Sequence, residues 1–143
     1  MEFTISKYIP GEHPNVTLPI NEMFLLLKEV GIRKMVSDHY DLLIESTIKD
    51  LFPKNPIAIE KAKEHSADFF IQICGGPEYF NKNRGRPLLK KRHMPFKITN
   101  DGRTEWLNCY KQVLVKLDLP ENVIQSFWNY LAKNGSCPCY WVS

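Results

Sequence analysis

Arg84-Gly85-Arg86-Pro87-Leu88-Leu89-Lys90-Lys91-Arg92-His93-Met94-Pro95-Phe96, with Gly75-Gly76-Pro77-Glu78-Tyr79-Phe80 just upstream, carries the densest chemistry in the chain. A single histidine stands inside a basic run. Pro87 has its φ pre-set for the first turn of a helix, and Pro95 stops the same helix after about two turns. His93 therefore sits on a short, stiffly held helix, with Leu88, Leu89, Met94 and Phe96 as an apolar wall beside it. Most histidines are solvated or hydrogen-bonded for structural reasons. Here a neutral imidazole beside an apolar slot suits haem iron, and the Lys and Arg side chains suit the two carboxylates of that cofactor. Two other readings of the basic run stay open: a solvated face, or a contact for phosphate or nucleic acid. No reading-helix or stacking-sheet pattern accompanies the latter.

Working outward, the chain reads as helix throughout. Met23, Phe24, Leu27 and Val30 recur at helical spacing from near Ile20 up to Gly31, and Ile32, Met35, Val36, His39, Tyr40, Leu43 and Ile44 trace a second stripe; both are expected to pack inward. Phe52-Pro53 and Asn55-Pro56 impose a corner. Ile59, Ala62, Ser66, Phe69, Phe70 and Ile73 form a third stripe, which Gly75-Gly76-Pro77 stops. The polar segment from Pro77 to Arg86 predicts a loop. Thr99 or Asn100 caps the next helix, with Trp106, Tyr110, Val113, Leu114 and Leu117 on one face. A last helix follows Asp118, with Pro120 in its first turn, Val123, Ile124, Phe127 and Leu131 inward, and Asn134-Gly135 as its end. The expected organisation is an irregular extension over 1–19, an all-α domain over 20–134, and a tail over 135–143.

With 143 residues, 43% of them hydrophobic, the chain has material for one sizeable core and too little for two comfortable domains. Sixteen acidic against nineteen basic side chains leave a net charge of +3, a weak summed field that argues against nucleic-acid and membrane partners. The basic residues nevertheless cluster locally at Lys82, Arg84, Arg86, Lys90, Lys91 and Arg92. No membrane-spanning stretch or secretory signal is visible, so a cytoplasmic location is expected. Cys74, Cys109, Cys137 and Cys139 match no zinc spacing; the first two read as small core residues, and Cys137-Pro138-Cys139 as part of an exposed tail.

The ordered set Gly75-Gly76-Pro77, Arg84-Gly85-x-Pro87, Leu89, Arg92-His93-x-Pro95-Phe96-x-Ile98 and Trp106-Leu107-x-Cys109 resembles the group II truncated haemoglobins, over about Gly31 to Leu131. That resemblance implies a truncated globin-like 2-on-2 helical sandwich enclosing haem b (iron protoporphyrin IX), with a short proximal helix. It implies His93 as the iron ligand, cofactor contacts from Phe52, Phe69, Leu89, Arg92, Phe96 and Trp106, and a ligand-facing side built from Tyr40, Ser66 and Trp106. The Tyr40 hydroxyl and the Trp106 indole N–H are donors suited to a diatomic ligand that draws partial negative charge. The chain departs from the family in several places. Tyr40 lies one residue nearer Phe52 than usual, which leaves open whether His39 or Tyr40 faces the ligand. Ala62 brings no hydrogen bond to the third-helix stripe, and Ser66 either donates to the ligand or bonds its own preceding carbonyl. His65 lies off the inward face, towards a haem carboxylate or solvent. Arg86 replaces a frequent histidine and Phe80 a frequent tyrosine.

The function so implied is binding of dioxygen, carbon monoxide, nitric oxide or peroxide, as in oxygen transport, by a monomer or homodimer. Nitric oxide dioxygenase or peroxidase-like turnover would need a separate reductase, because the chain carries no flavin or nicotinamide motif. The competing class is a haem-free helical interaction module that uses the basic surface.

Overall fold

The computed structural model of the chain describes residues 2–5, 17–86 and 99–134. The segment around His93 that is expected to form a short proline-flanked helix, and with it Leu89, Arg92 and Phe96, lies outside the described residues, as do Cys137 and Cys139. All regular structure among the described residues is helical: α1 (Glu22–Leu43), a single 3-10 turn (Lys49–Leu51), α2 (Pro56–Ile73), α3 (Tyr79–Arg84), α4 (Asn100–Leu114) and α5 (Glu121–Asn134). α1 is central, packing on α2, α4 and α5, while α3 rests on α2 and α4 on α5.

α1 runs as one element through Gly31, but Lys28 breaks its helical geometry at φ 58° and ψ −175°. A residue with a side chain is held in this largely glycine-only region only by its surroundings, at about 1–3 kcal/mol. The break resets the phase of the stripe. Met23 stays fully buried, whereas Val30, expected inside, is 81% exposed, and Leu25 and Leu26 also face out. Past the break the second stripe holds: Ile32, Met35, Val36, His39 and Leu43 are buried. Gly31 permits the bend, since a Cβ there would lie 2.8 Å from that of Leu27.

The corner before α2 forms as its prolines dictate. Phe52 is extended, Pro56 occupies the first turn, and the Asn55 side-chain oxygen accepts from the Ile57 N–H at 2.7 Å. At its other end α2 stops on Gly75 (φ 96°), with the Gly76 N–H bonded to the Ile71 carbonyl at 2.9 Å and the Gly75 N–H to Gln72 at 3.2 Å. This paired closure satisfies two terminal carbonyls. Gly76 also makes a close approach: a Cβ would lie 2.6 Å from the Phe24 ring and 2.7 Å from Ile71 Cγ2. Gly76→Ala is expected to lower stability by about 1–3 kcal/mol through this overpacking, read as a lower urea midpoint with an unchanged slope.

The segment after Pro77 is not a loop throughout, because Tyr79–Arg84 forms a helix of six residues. Its polar composition hides its anchors. Phe80 is buried edge-on to Phe69 at 5.7 Å, the Tyr79 hydroxyl bonds Glu29 of α1, and Gln72 of α2 accepts from the Asn81 N–H at 2.9 Å. Gly85, at φ 76°, ends it. Thr99 caps α4 through the Gly102 N–H at 3.0 Å. In α5, Val123, Ile124, Phe127 and Leu131 are buried as expected, together with Trp128 and Tyr130. Residues 2–5 lie along α5: Gln125 brackets the Glu2 backbone, Phe3 meets Trp128 edge-on at 5.0 Å, and the Trp128 indole donates to the Thr4 carbonyl at 3.1 Å.

Candidate functional site

Three helices and the corner carry the sequence-predicted site residues that lie among the described residues. Tyr40 comes from the last turns of α1, Phe52 from the corner, Ser66 and Phe69 from α2, and Trp106 from the first half of α4. The Tyr40 ring meets Phe52 edge-on at 5.7 Å, and its hydroxyl lies beside Ser66. Tyr40, Phe52, Ser66 and Trp106 are all half-buried, whereas their helix neighbours His39, Ala67, Leu107 and Tyr110 are fully buried. Large aromatic side chains that stop short of full burial on α1, the corner and α4 leave apolar surface available to a ligand.

Burial raises the Tyr40 phenol above its ordinary value, and hydrogen bonding with Ser66 draws it part of the way back. The group stays protonated at neutral pH and remains a donor. Ser66 thus has a partner across the α1–α2 junction rather than only its own helix.

His39 lies on the other side of the α1 register. It is 1% exposed and stacks on Tyr110 of α4, with ring centroids 3.5 Å apart and planes at 21°. It meets Trp106 edge-on at 5.1 Å, and its Nε2 lies 3.0 Å from the Trp106 carbonyl oxygen. Desolvation lowers its pKa from 6.5 to about 3 against the opposing effect of that hydrogen bond. An unfolded chain therefore binds a proton here, between about pH 3 and 6.5, that the folded chain does not. This contribution to stability is complete above about pH 6.5 and is lost as pH falls. Urea midpoints are expected to drop from pH 7 to pH 5, and His39→Phe to flatten that drop.

The outer edge of α2 is polar. Arg84 of α3 lies over the Phe80 ring at 5.8 Å and bonds His65 Nδ1, while burial and the Arg84 charge hold His65 below its ordinary pKa. Behind it, buried Asp68 accepts from Arg33 at 2.8 Å and from Asn83 at 3.4 Å. Sequence reasoning missed both pairings, which join residues 19 and 35 apart and carry no local signature. Cys74 and Cys109 are free and buried as expected; burial pushes their thiols up to about 12 and about 11, far from reactive thiolates. Among the described residues no group of three or more His, Cys, Asp or Glu side chains is placed to hold a metal ion, and no helix is long and apolar enough to cross a membrane.

The donor set suits a flat, apolar cofactor bearing a small ligand. Phenol, hydroxyl and indole are neutral groups beside this aromatic surface, and the anionic edge of a haem would find cationic side chains on the α2–α3 side. Haem therefore fits the described half of the site.

Residues 27–134 match the family model described as bacterial-like globin. The group 2 truncated haemoglobin YjbI of Bacillus subtilis (strain 168) is 28% identical over 108 residues, 75% of this chain and 79% of that protein. The two-on-two haemoglobin-3 of Arabidopsis thaliana is 34% identical over 55 residues, 38% of this chain and 31% of the plant protein. Among solved structures, phosphate-bound Hell's gate globin IV superposes with a TM-score of 0.84 at 32% identity, covering 92% of this chain and 82% of that one. The haemoglobin of Chloroflexus aurantiacus follows with a TM-score of 0.73 at 29% identity, covering 79% of this chain and 93% of that one. On this evidence the chain belongs to the bacterial-like globin family, as an all-helical 2-on-2 globin of the group II truncated haemoglobins.

Proposed function

We propose that this globin, whose family membership implies haem-based ligand binding, carries haem b on His93 and binds dioxygen reversibly on the side lined by Tyr40, Ser66 and Trp106. The observation that carries the reading is Tyr40: a protonated, half-buried phenol beside Ser66 and Phe52. When bound, the haem supplies a ferrous iron able to take a diatomic ligand. The residues of the chain do the rest. Phe52, Phe69 and Trp106 exclude water from the apolar slot, and the low local dielectric strengthens each hydrogen bond made inside it. Tyr40 holds its proton and aims it at the ligand, Ser66 restrains the phenol, and Trp106 adds a second neutral donor. Arg92 and its basic neighbours are assigned to the haem carboxylates, with His65 and Arg84 alongside.

Purified protein is expected to bind one equivalent of haem tightly and to form a stable ferrous dioxygen complex. Absorption spectra on titration with haem, then with dioxygen, carbon monoxide and nitric oxide, check this and rank the ligands. Absence of a saturable one-to-one haem spectrum would sink the reading. Measuring nitric oxide consumption with an added reductant separates simple binding from dioxygenase turnover, which also needs a separate reductase.

A further inference from the structure

His39 and Tyr40 are consecutive on α1, about 100° apart around the helix, and they reach different partners. Tyr40 meets Ser66 on α2, whereas His39 meets Trp106 and Tyr110 on α4. α1 thereby joins the two ligand-side walls through adjacent residues.

The chemistry of His39 fixes its state. A carbonyl oxygen only accepts, so Nε2 carries the proton in its 3.0 Å bond to the Trp106 carbonyl. Burial keeps the ring neutral, so Nδ1 is bare and a single tautomer is present. The Trp106 carbonyl also takes the helical bond of the residue four places on, Tyr110, and His39 occupies its second lone pair. The same imidazole lies flat on Tyr110 at 3.5 Å. Trp106 and Tyr110 stand one above the other on one face of α4, so a single side chain grips both ends of that turn. Packing alone asks for no polar ring here: phenylalanine would fill the space and keep the stack, and the carbonyl would retain its backbone partner. The specific gain from imidazole is the directional bond at Trp106.

We infer that His39 is a positioning residue, which holds the Trp106 indole at the ligand side through its Nε2–H bond to the Trp106 carbonyl and its stack on Tyr110. This rests on the reading above that Trp106 faces the ligand.

The test uses haem-loaded, carbon monoxide-saturated ferrous protein labelled with 15N, and follows the Trp106 indole N–H resonance, assigned by its loss in Trp106→Phe. Three variants separate the two contacts: His39→Phe keeps the stack without the donor, His39→Gln keeps a donor without the ring, and Tyr110→Leu removes the stack. His39→Phe is expected to shift or broaden the indole resonance and to raise the dioxygen off-rate several-fold. His39→Gln is expected to restore much of both, and Tyr110→Leu to disturb the resonance in the same sense. In a Trp106→Phe background, His39→Phe is expected to add little, because the two act through one group. A wild-type indole resonance in His39→Phe, or an undiminished off-rate effect in the Trp106→Phe background, overturns the inference. Should Trp106→Phe itself leave the off-rate unchanged while His39→Phe still moves the indole resonance, the assignment of Trp106 as a ligand donor fails and the positioning of its side chain stands.

Discussion

His93→Ala is expected to produce the largest change available from a single substitution, a loss of haem retention with replacement of the histidine-ligated iron spectrum. His93 is the one histidine in the proline-flanked segment between Pro87 and Pro95. The iron–imidazole coordinate bond is the one direct bond proposed between iron and chain, and the remaining contacts proposed for the haem are apolar packing and charge pairing at its carboxylates. Losing even an outer-shell partner of a metal ligand costs about 10- to 100-fold in affinity, so loss of the ligand itself is expected to cost at least that. Transfer of haem to an excess of a haem-scavenging apoprotein, followed by absorption, measures it. Because haem binds the folded chain, the haem-dependent gain in unfolding midpoint is expected to shrink in parallel. The apoprotein is expected to unfold at the same midpoint as the wild-type apoprotein, which separates lost ligation from a damaged fold. Retention and spectrum unchanged in His93→Ala would remove His93 as the ligand.

The second large effect is expected from Tyr40→Phe combined with Trp106→Phe. Each change deletes one donor while keeping a half-buried aromatic ring in place, so the proposed slot is expected to stay closed to water. A hydrogen bond in such a setting contributes about 1 to 1.5 kcal/mol, and 1.4 kcal/mol corresponds to about tenfold in a rate or equilibrium. Each single variant is expected to raise the dioxygen off-rate about five- to tenfold, and the double variant by up to about a hundredfold. Association is expected to change far less, as is usual when bound-state contacts are removed. Carbon monoxide, which draws less negative charge, is expected to lose much less than dioxygen. Stopped-flow displacement of dioxygen by carbon monoxide gives these rates, and equal losses for both gases would argue against donor hydrogen bonding. Tyr40→Phe is also expected to release Ser66 from its side-chain partner, so Ser66→Ala in the Tyr40→Phe background should have little further effect.

Much of the architecture follows from local rules. The face of α4 through Trp106, Tyr110, Val113 and Leu114, the Thr99 and Asn55 caps, and the Gly75-Gly76 stop depend on residues within a few positions of one another. Their partners are the backbone itself, so spacing is sufficient. The break at Lys28 and the helix Tyr79–Arg84 lacked such signals. Lys28 is itself exposed and sits between Met23 and Ile32, which are both buried, and α3 is held by contacts to Glu29, Phe69 and Gln72, which are remote or on another element. Neither a strained residue nor a helix with one buried apolar side chain announces itself in hydropathy.

The amino-acid sequence by itself determined the helical class and the family, and it supplied the side chains proposed for the ligand side, because periodicity, caps and an ordered motif set are properties of the chain read along its length. Tertiary structure alone decided which of His39 and Tyr40 turns toward Ser66 and Phe52 and which turns into the core. Two adjacent residues on an amphipathic stripe are both compatible with burial. Their roles separate only when Tyr110 of α4 offers a flat face and Trp106 a carbonyl to one of them, while Ser66 of α2 meets the other.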